Sequence, residues 1–254
     1  MKLQYASDLH LEFTENKAFL KRNPLVPGGD FLLLAGDIVP FAVMGNHADF
    51  FNYISDNFDT TYWIPGNHEY YYSDISEKSG SLNETIRSNV FLVNNCSIKH
   101  ENVNLIFSTL WSKISSVNQW QIEQNISDFH VIKYKRNRFS AEQFNQLHNE
   151  SLNFFKEALH HNYTGKRIVI SHHVPTFLNY PGKFKTDILN EAFAVELSDL
   201  IEDSGPEYWI YGHSHYNTSD FSVGGTQLLT NQLGYVRNNE QIGYHNRKII
   251  DMLE

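Results

Sequence analysis

The chain has 254 residues, 41% hydrophobic and 19% charged, which is enough apolar content for one well-packed domain, and no linker, low-complexity tract or internal repeat divides it. The formal net charge is -9 with histidines counted as neutral, an acidic balance that disfavours binding to nucleic-acid backbones. A single cysteine excludes an internal disulfide, and the absence of both a signal-peptide core and a membrane-length apolar run predicts a soluble, cytoplasmic protein without a membrane partner.

Short apolar runs that end in polar residues recur along the chain and predict buried strands. They are Lys2 to Ser7, Phe31 to Ala35, Thr61 to Ile64, Arg167 to Ile170, and Tyr208 to Tyr211. Helical patterns lie between them, at Ala48 to Phe58, from Ser140 onwards with Gln143 in a capping-box position, and at Ile188 to Glu202 before Gly205. The alternation of strands and helices predicts an α/β fold.

Two stretches depart from that alternation. Strand-like runs follow one another without a helix within Val90 to Leu110 and again within Phe221 to Leu229, around Gly224-Gly225, as in antiparallel hairpins. A purely parallel sheet is therefore disfavoured, and a layered sandwich with mixed sheets fits better.

The segment Trp111 to Arg138 is the least regular part of the chain, and it carries a basic cluster at Lys133, Lys135, Arg136 and Arg138. Long irregular segments in compact domains are often lids or binding loops. We predict one domain over residues 1–254 with a cap or loop insertion at residues 112–139. The segment is open to two interpretations, a solvated surface loop and a cap that contacts substrate.

Five short polar motifs stand where the apolar runs end. They are Asp8-Leu9-His10, Gly36-Asp37, Gly66-Asn67-His68-Glu69, His172-His173, and Gly212-His213-Ser214-His215. Because ligands gather outside the carboxyl ends of strands in open α/β sheets, these side chains can converge although they are far apart in sequence. In Asp8-x-His10 we predict an extended chain, whose one-residue spacing puts an oxygen and a nitrogen ligand on the same side.

The donor atoms in these motifs suit divalent metals. Carboxylate, imidazole and amide ligands favour Mn, Fe, Zn or Co, and the lack of thiolates excludes a cysteine zinc site. Seven candidate ligands exceed the need of one ion, and a carboxylate such as Asp37 can bridge two. The sequence therefore predicts a site for two divalent cations.

The five motifs, in this order, resemble those of the calcineurin-like metallophosphoesterase superfamily over residues 8–215. The resemblance implies a four-layer α/β/β/α sandwich with two metals at one edge of its central sheets. It implies that one metal is held by Asp8, His10 and His215, the other by Asn67, His172 and His213, and both by Asp37.

The resemblance also implies a chemistry. A hydroxide that bridges the two metals attacks a phosphate monoester or diester of a small-molecule or nucleotide-like substrate, and His68, which binds no metal, is the catalytic residue that donates a proton to the leaving oxygen or stabilises it. His173 is open to a role beside the phosphate or a structural role. Glu69 could orient His68 or make an outer contact.

Departures from the superfamily pattern narrow the branch. After Gly36-Asp37 the chain continues Ile38-Val39-Pro40, which disfavours the serine/threonine phosphatases and their G-D-x-x-D-R-G motif. Some similar metallophosphoesterases carry an N-P-R-G-Y-like segment near the C-terminus, where this chain has Leu233 in place of the arginine and Arg237 nearby. Two alternatives stay open, a non-catalytic metal-binding scaffold for protein interactions and a nuclease of the same superfamily.

Overall fold

The computed structural model describes residues 1–160 and 163–252, and this part of the chain contains fourteen strands and six α-helices. The strands are β1 (Lys2–Ala6), β2 (Phe31–Ala35), β3 (Thr60–Ile64), β4 (Leu82–Arg87), β5 (Val90–Asn94), β6 (Cys96–His100), β7 (Val103–Ser108), β8 (Lys133–Tyr134), β9 (Asn137–Arg138), β10 (Lys166–Ser171), β11 (Tyr208–Tyr211), β12 (Phe221–Val223), β13 (Thr226–Thr230) and β14 (Ile249–Asp251). The α-helices are α1 (Thr14–Arg22), α2 (Ala48–Asn57), α3 (Gln119–Asn125), α4 (Asp128–Val131), α5 (Ala141–His160) and α6 (Ser198–Ser204).

Twelve of these strands form two six-stranded mixed sheets. The first sheet has the order β14-β1-β2-β3-β5-β4, and the second has the order β12-β13-β11-β10-β7-β6. In each sheet the four inner strands are parallel and the two edge strands are antiparallel to their neighbours. This confirms the prediction of mixed sheets.

The sheets stack face to face, with helices on the two outer faces. Alternate residues of β2 point to opposite sides, so that Leu33 packs between the sheets while Leu32 and Leu34 pack under α1 and α2. On the far side, Phe155 of α5 and Ile201 of α6 cover the outer face of the second sheet. The four layers α/β/β/α are those that the resemblance predicted.

Parallel strands bring their carboxyl ends to one edge of each sheet, and the five polar motifs follow those ends. The loops after β1 and β2 contact each other, because the Asp8 backbone N–H donates to the Gly36 carbonyl at 3.0 Å. The loops after β10 and β11 are joined in the same way, by a 3.0 Å hydrogen bond from the Gly212 N–H to the His172 carbonyl. The topology therefore assembles one site from five distant motifs.

The predicted helix from Ile188 to Glu202 is wrong. Ile188–Ala192 forms a 3-10 turn, and the α-helix begins only at Ser198. Between them the chain is extended, because Val174 forms an isolated parallel bridge with Ala194 and accepts a 3.0 Å hydrogen bond from the Val195 N–H. Pairing with the segment after β10 overrides the local helical periodicity.

Residues 112–139 contain more regular structure than the sequence indicated. Helices α3 and α4 and the β8–β9 hairpin pack around buried Ile122, Phe129 and Phe139 against the start of α5. Part of the basic cluster supports this packing, since the Arg138 guanidinium donates to the carbonyls of Phe129 and Glu123. Among the described residues, no helix combines the length and hydropathy that crossing a membrane requires.

Candidate metal centre

The motif Asp8-Leu9-His10 lies in a loop, because β1 already ends at Ala6. Asp8 and His10 have left-handed backbone conformations, with φ of 55° and 46°, so the extended geometry predicted for this motif is wrong. The His10 N–H donates to the Asp37 carbonyl at 3.0 Å, which holds the loop against its neighbour. Such conformations cost about 1–3 kcal/mol in non-glycine residues and are concentrated at functional sites. Positive φ recurs at Asp37, His213 and His215.

The predicted metal ligands gather in two groups of side-chain atoms. The first group comprises Asp8, His10, Asp37 and His215, and the second comprises Asp37, His172 and His213. Asp37 belongs to both groups, since its Oδ1 lies 3.4 Å from His172 Nε2 and its Oδ2 lies 3.8 Å from His10 Nε2. The amide oxygen of Asn67 lies 3.3 Å from His172 Nε2 and so adjoins the second group.

The histidines of the first group are oriented by carboxylates outside it. His10 Nδ1 lies 3.2 Å from Glu12 Oε1, and His215 Nδ1 lies 2.7 Å from Glu240 Oε2. A carboxylate can only accept, so each outer nitrogen carries a hydrogen, and Nε2 is the ring nitrogen that faces inward and can bind an ion in its unprotonated form. The two inward atoms are 2.9 Å apart.

The second group is oriented in the same way by backbone carbonyls. His172 Nδ1 donates to the Ala35 oxygen at 2.9 Å, and His213 Nε2 donates to the Ala192 oxygen at 3.2 Å. The inner atoms, His172 Nε2 and His213 Nδ1, then face each other at 3.1 Å. Ring nitrogens that converge beside buried carboxylates require positive charge among them, either from protons on the rings or from cations. This donor set fits the two divalent ions of the predicted site.

The pKa values of these residues also indicate that the site favours positive charge. Burial alone lowers the pKa of His215, but its hydrogen bonds to Asp8 and Glu240 raise that pKa to about 10. Burial also lowers the pKa of His172, and the neighbouring Asp37 raises it to about 9. The pKa of Asp37 lies well below its usual value, because nearby histidines outweigh the effect of its burial.

Glycine is required where the loops approach the ligands. A Cβ at Gly66 would lie 2.2 Å from Asp37 Oδ1 and 2.6 Å from His172 Nε2. A Cβ at Gly212 would lie 2.6 Å from Asp8 Oδ2. These positions have no room for a methyl group, as expected for glycines that permit a close approach.

Glu69 holds the loops after β2 and β3 together. Its fully buried carboxylate accepts hydrogen bonds from the backbone N–H groups of Asp37, Ile38 and Gly66 and from the indole of Trp63, at 2.6–3.1 Å. Burial raises the pKa of Glu69 to about 8, while the N–H groups of Ile38 and Gly66 act in the opposite direction. These contacts assign Glu69 to loop geometry rather than to orientation of His68.

His68 lies beside the ligand groups and outside both of the groups that contain Asp37. Its Nδ1 is 2.9 Å from Glu12 Oε1, its Nε2 is 3.2 Å from the Tyr235 hydroxyl, and its ring stacks on Tyr71 at 3.9 Å. Burial lowers the pKa of His68, but the charges of Asp37 and Glu12 outweigh that effect and raise it overall. Such an imidazole is oriented and held in a form that can donate a proton.

Several residues that complete the site were not predicted. Glu12 lies two positions beyond His10, as His10 lies two beyond Asp8. This repeated spacing was the only feature of the sequence that could have predicted Glu12. Asp128 accepts hydrogen bonds from Asn67 Nδ2 at 2.8 Å and from the Tyr71 hydroxyl at 2.9 Å. Nothing in the sequence links it to Asn67, which is 61 positions away. Glu240 was missed for the same reason.

Three residues left open by the sequence belong to neither ligand group that contains Asp37, although His173 adjoins the second one. His173 packs with its ring centroid 4.1 Å from that of His213 and 5.2 Å from that of Trp111. Leu233 is fully buried in the core under α1 and α2. The exposed Arg237 lies over the rings of Phe13 and Tyr235 and does not line the metal pocket.

The metal pocket has a volume of about 230 Å³. Its walls include Asp37, Asn67, His68, Tyr71, Tyr235 and residues 125–128 of the irregular segment. The segment therefore contributes to the pocket and is more than a solvated loop.

The fold and the two ligand groups that share Asp37 define a metal-dependent phosphoester hydrolase with two divalent metals. The family model described as calcineurin-like phosphoesterase matches residues 1–217, and the chain belongs to this family. An uncharacterised protein of Acanthamoeba polyphaga mimivirus is 33% identical to this chain over an alignment 259 positions long. The alignment covers 92% of this chain and 91% of that protein. The crystal structure of phosphopantetheinyl hydrolase from Mycobacterium tuberculosis superimposes with a TM-score of 0.74 at 15% identity, covering 100% of this chain and 96% of that one. This structural likeness concerns the fold.

Proposed function

We propose that the protein hydrolyses a phosphate monoester or diester of a small-molecule or nucleotide-like substrate in the metal pocket. The observation that carries the proposal is the convergence of inward-facing imidazole nitrogens on two groups that share the Asp37 carboxylate. A hydrogen bond to the outer nitrogen of each ring fixes which nitrogen faces inward, so the site is preorganised for cations.

This placement supports the following ligand roles. Asp8, His10 and His215 hold one ion, Asn67, His172 and His213 hold the other, and Asp37 contacts both. Two divalent ions such as Mn, Fe or Zn, if held by these residues, would supply an acidified water as the nucleophile and would neutralise charge on the phosphoryl oxygens. The Glu69 carboxylate joins the loops of Asp37 and Asn67 and so fixes the ligands of the two sites relative to each other.

His68 donates the proton that the leaving oxygen needs. Glu12 accepts from its Nδ1 and Tyr71 stacks on its ring, so Nε2 is the atom available to a substrate once the Tyr235 hydroxyl moves aside. In the absence of cations, burial lowers the pKa of this imidazole, but the charges of Asp37 and Glu12 outweigh that effect and raise it. General acid catalysis of this kind contributes about 10²–10⁴-fold in rate.

The test separates His68 from the ligands. His68→Ala keeps about two metals per chain and loses about 10²–10⁴-fold in kcat, because only the proton donor is removed. Asp37→Asn loses metal, because the carboxylate shared by both groups is gone. Metal content is measured by elemental analysis, and turnover after addition of Mn with phenyl phosphate and diphenyl phosphate, whose phenolate leaving group, unlike p-nitrophenolate, needs a proton donor.

His160→Ala, an exposed histidine at the end of α5, is the matched control and retains both metals and turnover. Equal metal loss in His68→Ala and Asp37→Asn would contradict the separation of roles. A metal-loaded protein that cleaves neither ester would instead support the scaffold alternative. Cleavage of single-stranded DNA that disappears in Asp37→Asn would support the nuclease alternative.

A further inference from the structure

An apolar cleft opens directly from the metal pocket. It has a volume of about 190 Å³ and shares Ile126, Phe193 and Ser214 with the pocket. Tyr180, Phe184 and Leu189 complete its apolar walls. The combined volume of pocket and cleft falls in the range of about 300–1,000 Å³ that is typical of small-molecule sites.

The cleft begins at the second ligand group. The ring of Phe193 stacks on that of His213, with centroids 4.8 Å apart and an interplanar angle of 27°. Ile126 closes the opposite wall from the end of α3, where its N–H donates to the Ile122 carbonyl. An organic group in the cleft would therefore lie next to a phosphate that is bound in the metal pocket.

The charge of the cleft excludes anionic groups. Among the described residues, no lysine or arginine lines either the pocket or the cleft. Two polar side chains of the cleft are already engaged, since Asp187 accepts from the Leu189 N–H at 2.9 Å and Asn190 donates to the Phe184 carbonyl. Asp187 also adds a carboxylate that repels a negative group.

We propose that the cleft binds an uncharged, ring-sized organic group of the phosphate ester. This deepens the proposed function and rests on it, because the metal pocket must hold the phosphate to which that group is attached. The preferred substrates then carry a neutral aromatic or cyclic group next to the phosphate, and polyphosphates and esters with a second acidic group beside the first are disfavoured.

Three phosphonates test the proposal, because their carbon–phosphorus bond resists hydrolysis. Binding of phenylphosphonate, methylphosphonate and 4-carboxyphenylphosphonate to the Mn-loaded protein is measured by isothermal titration calorimetry. Phenylphosphonate binds about tenfold tighter than methylphosphonate, because its ring leaves water for the cleft. The carboxylated ring loses this advantage.

Variants localise the effect. Ile126→Ala and, separately, Phe184→Ala reduce the preference for phenyl over methyl by about threefold or more, because each removes part of the apolar wall. Ile242→Ala, at a position 78% exposed and remote from the cleft lining, keeps the full preference.

Equal binding of the phenyl and methyl compounds, a phenyl preference unaffected by both wall variants, or tighter binding of the carboxylated ring would each overturn the proposal. The last result would point to Lys183, whose ammonium lies 4.5 Å from the Phe184 ring centroid. A protein that shows the preference but cleaves no ester would refute the proposed hydrolysis while leaving the cleft assignment standing. One that cleaves esters without the preference would refute the cleft alone.

Discussion

At the scale of single residues, the site depends on hydrogen bonds that orient the candidate metal ligands from the side that faces away from the ions. Asn67 is the clearest case, because an amide can turn either its oxygen or its nitrogen toward an ion. Asp128 Oδ1 accepts from Asn67 Nδ2 and from the Tyr71 hydroxyl, which leaves the amide oxygen of Asn67 directed at the second ligand group. One buried carboxylate thereby orients both a ligand and the ring on which His68 stacks.

Replacement of Asp128 should weaken binding of the ion that we assign to Asn67. Asp128→Ala frees the amide to rotate and lowers the affinity for that ion by about 10–100-fold, whereas Asp128→Asn retains an oxygen that both donors can use and has a smaller effect. Mn²⁺ titration calorimetry measures both, with the exposed Asp56→Ala as the control. Wild-type affinity at both ions in Asp128→Ala would show that the orientation of Asn67 does not depend on this carboxylate.

At the scale of elements, the turns after β1, β2 and β11 bring several side chains to one point, which the strands themselves cannot do. Side chains in a strand alternate between two faces, so a strand presents few neighbouring residues to one point. Left-handed residues such as Asp8 and Asp37 coil the chain just beyond the strands and direct several side chains to the same place. The glycines within these motifs leave the space into which those side chains fit.

Gly66 tests this argument, because the obstacle to a side chain there is the site itself. Gly66→Ala puts a methyl group against Asp37 and His172, and we expect metal content to fall from about two ions per chain to one or none. Elemental analysis measures the content, and far-ultraviolet circular dichroism checks that the variant is folded. Gly45→Ala is the matched control, since its Cβ would meet no atom within 4 Å. Full metal content in Gly66→Ala would show that the loop relaxes at little cost.

At the scale of the whole molecule, the site joins the two sheets. The loops of the first sheet carry Asp8, Asp37 and Asn67, and those of the second carry His172 and His213. Without cations, the apolar layer between the sheets is what holds the two sets of loops together. Metal binding should therefore stabilise the packing of one sheet on the other.

Removal of metal should lower the thermal unfolding midpoint by about 10–20 °C. Each ion at about 100 times its dissociation constant adds about 2.7 kcal/mol to the free energy of unfolding, and about 1 kcal/mol shifts the midpoint of a chain of this size by about 2–4 °C. Differential scanning calorimetry with Mn and with EDTA measures the shift. Asp37→Asn should show almost no dependence on Mn; a midpoint equally insensitive to Mn in the wild type would mean that the ions do not link the sheets.

The sequence by itself determined the fold class, the positions of the main strands and the residues that gather at their ends. These depend on local apolar periodicity and on polar residues at fixed offsets, both of which can be read from neighbouring positions. The helix at Ala48–Asn57 and the capping box at Ser140 and Gln143, where the Gln143 Oε1 accepts from the Ser140 N–H at 3.0 Å, are confirmed for the same reason. One domain over the whole chain and the seven ligand roles stay predictions.

Only the tertiary structure decided which distant groups complete the site. Asp128 and Glu240 contact ligands that are 61 and 25 positions away, and no local pattern reports such contacts. The helix predicted from Ile188 failed because Ala194 pairs with Val174, and that pairing also belongs to the segment that places Phe193 on His213. Local patterns specify elements, whereas the orientation of ligands and the walls of the substrate cleft arise where elements that are remote in sequence pack together.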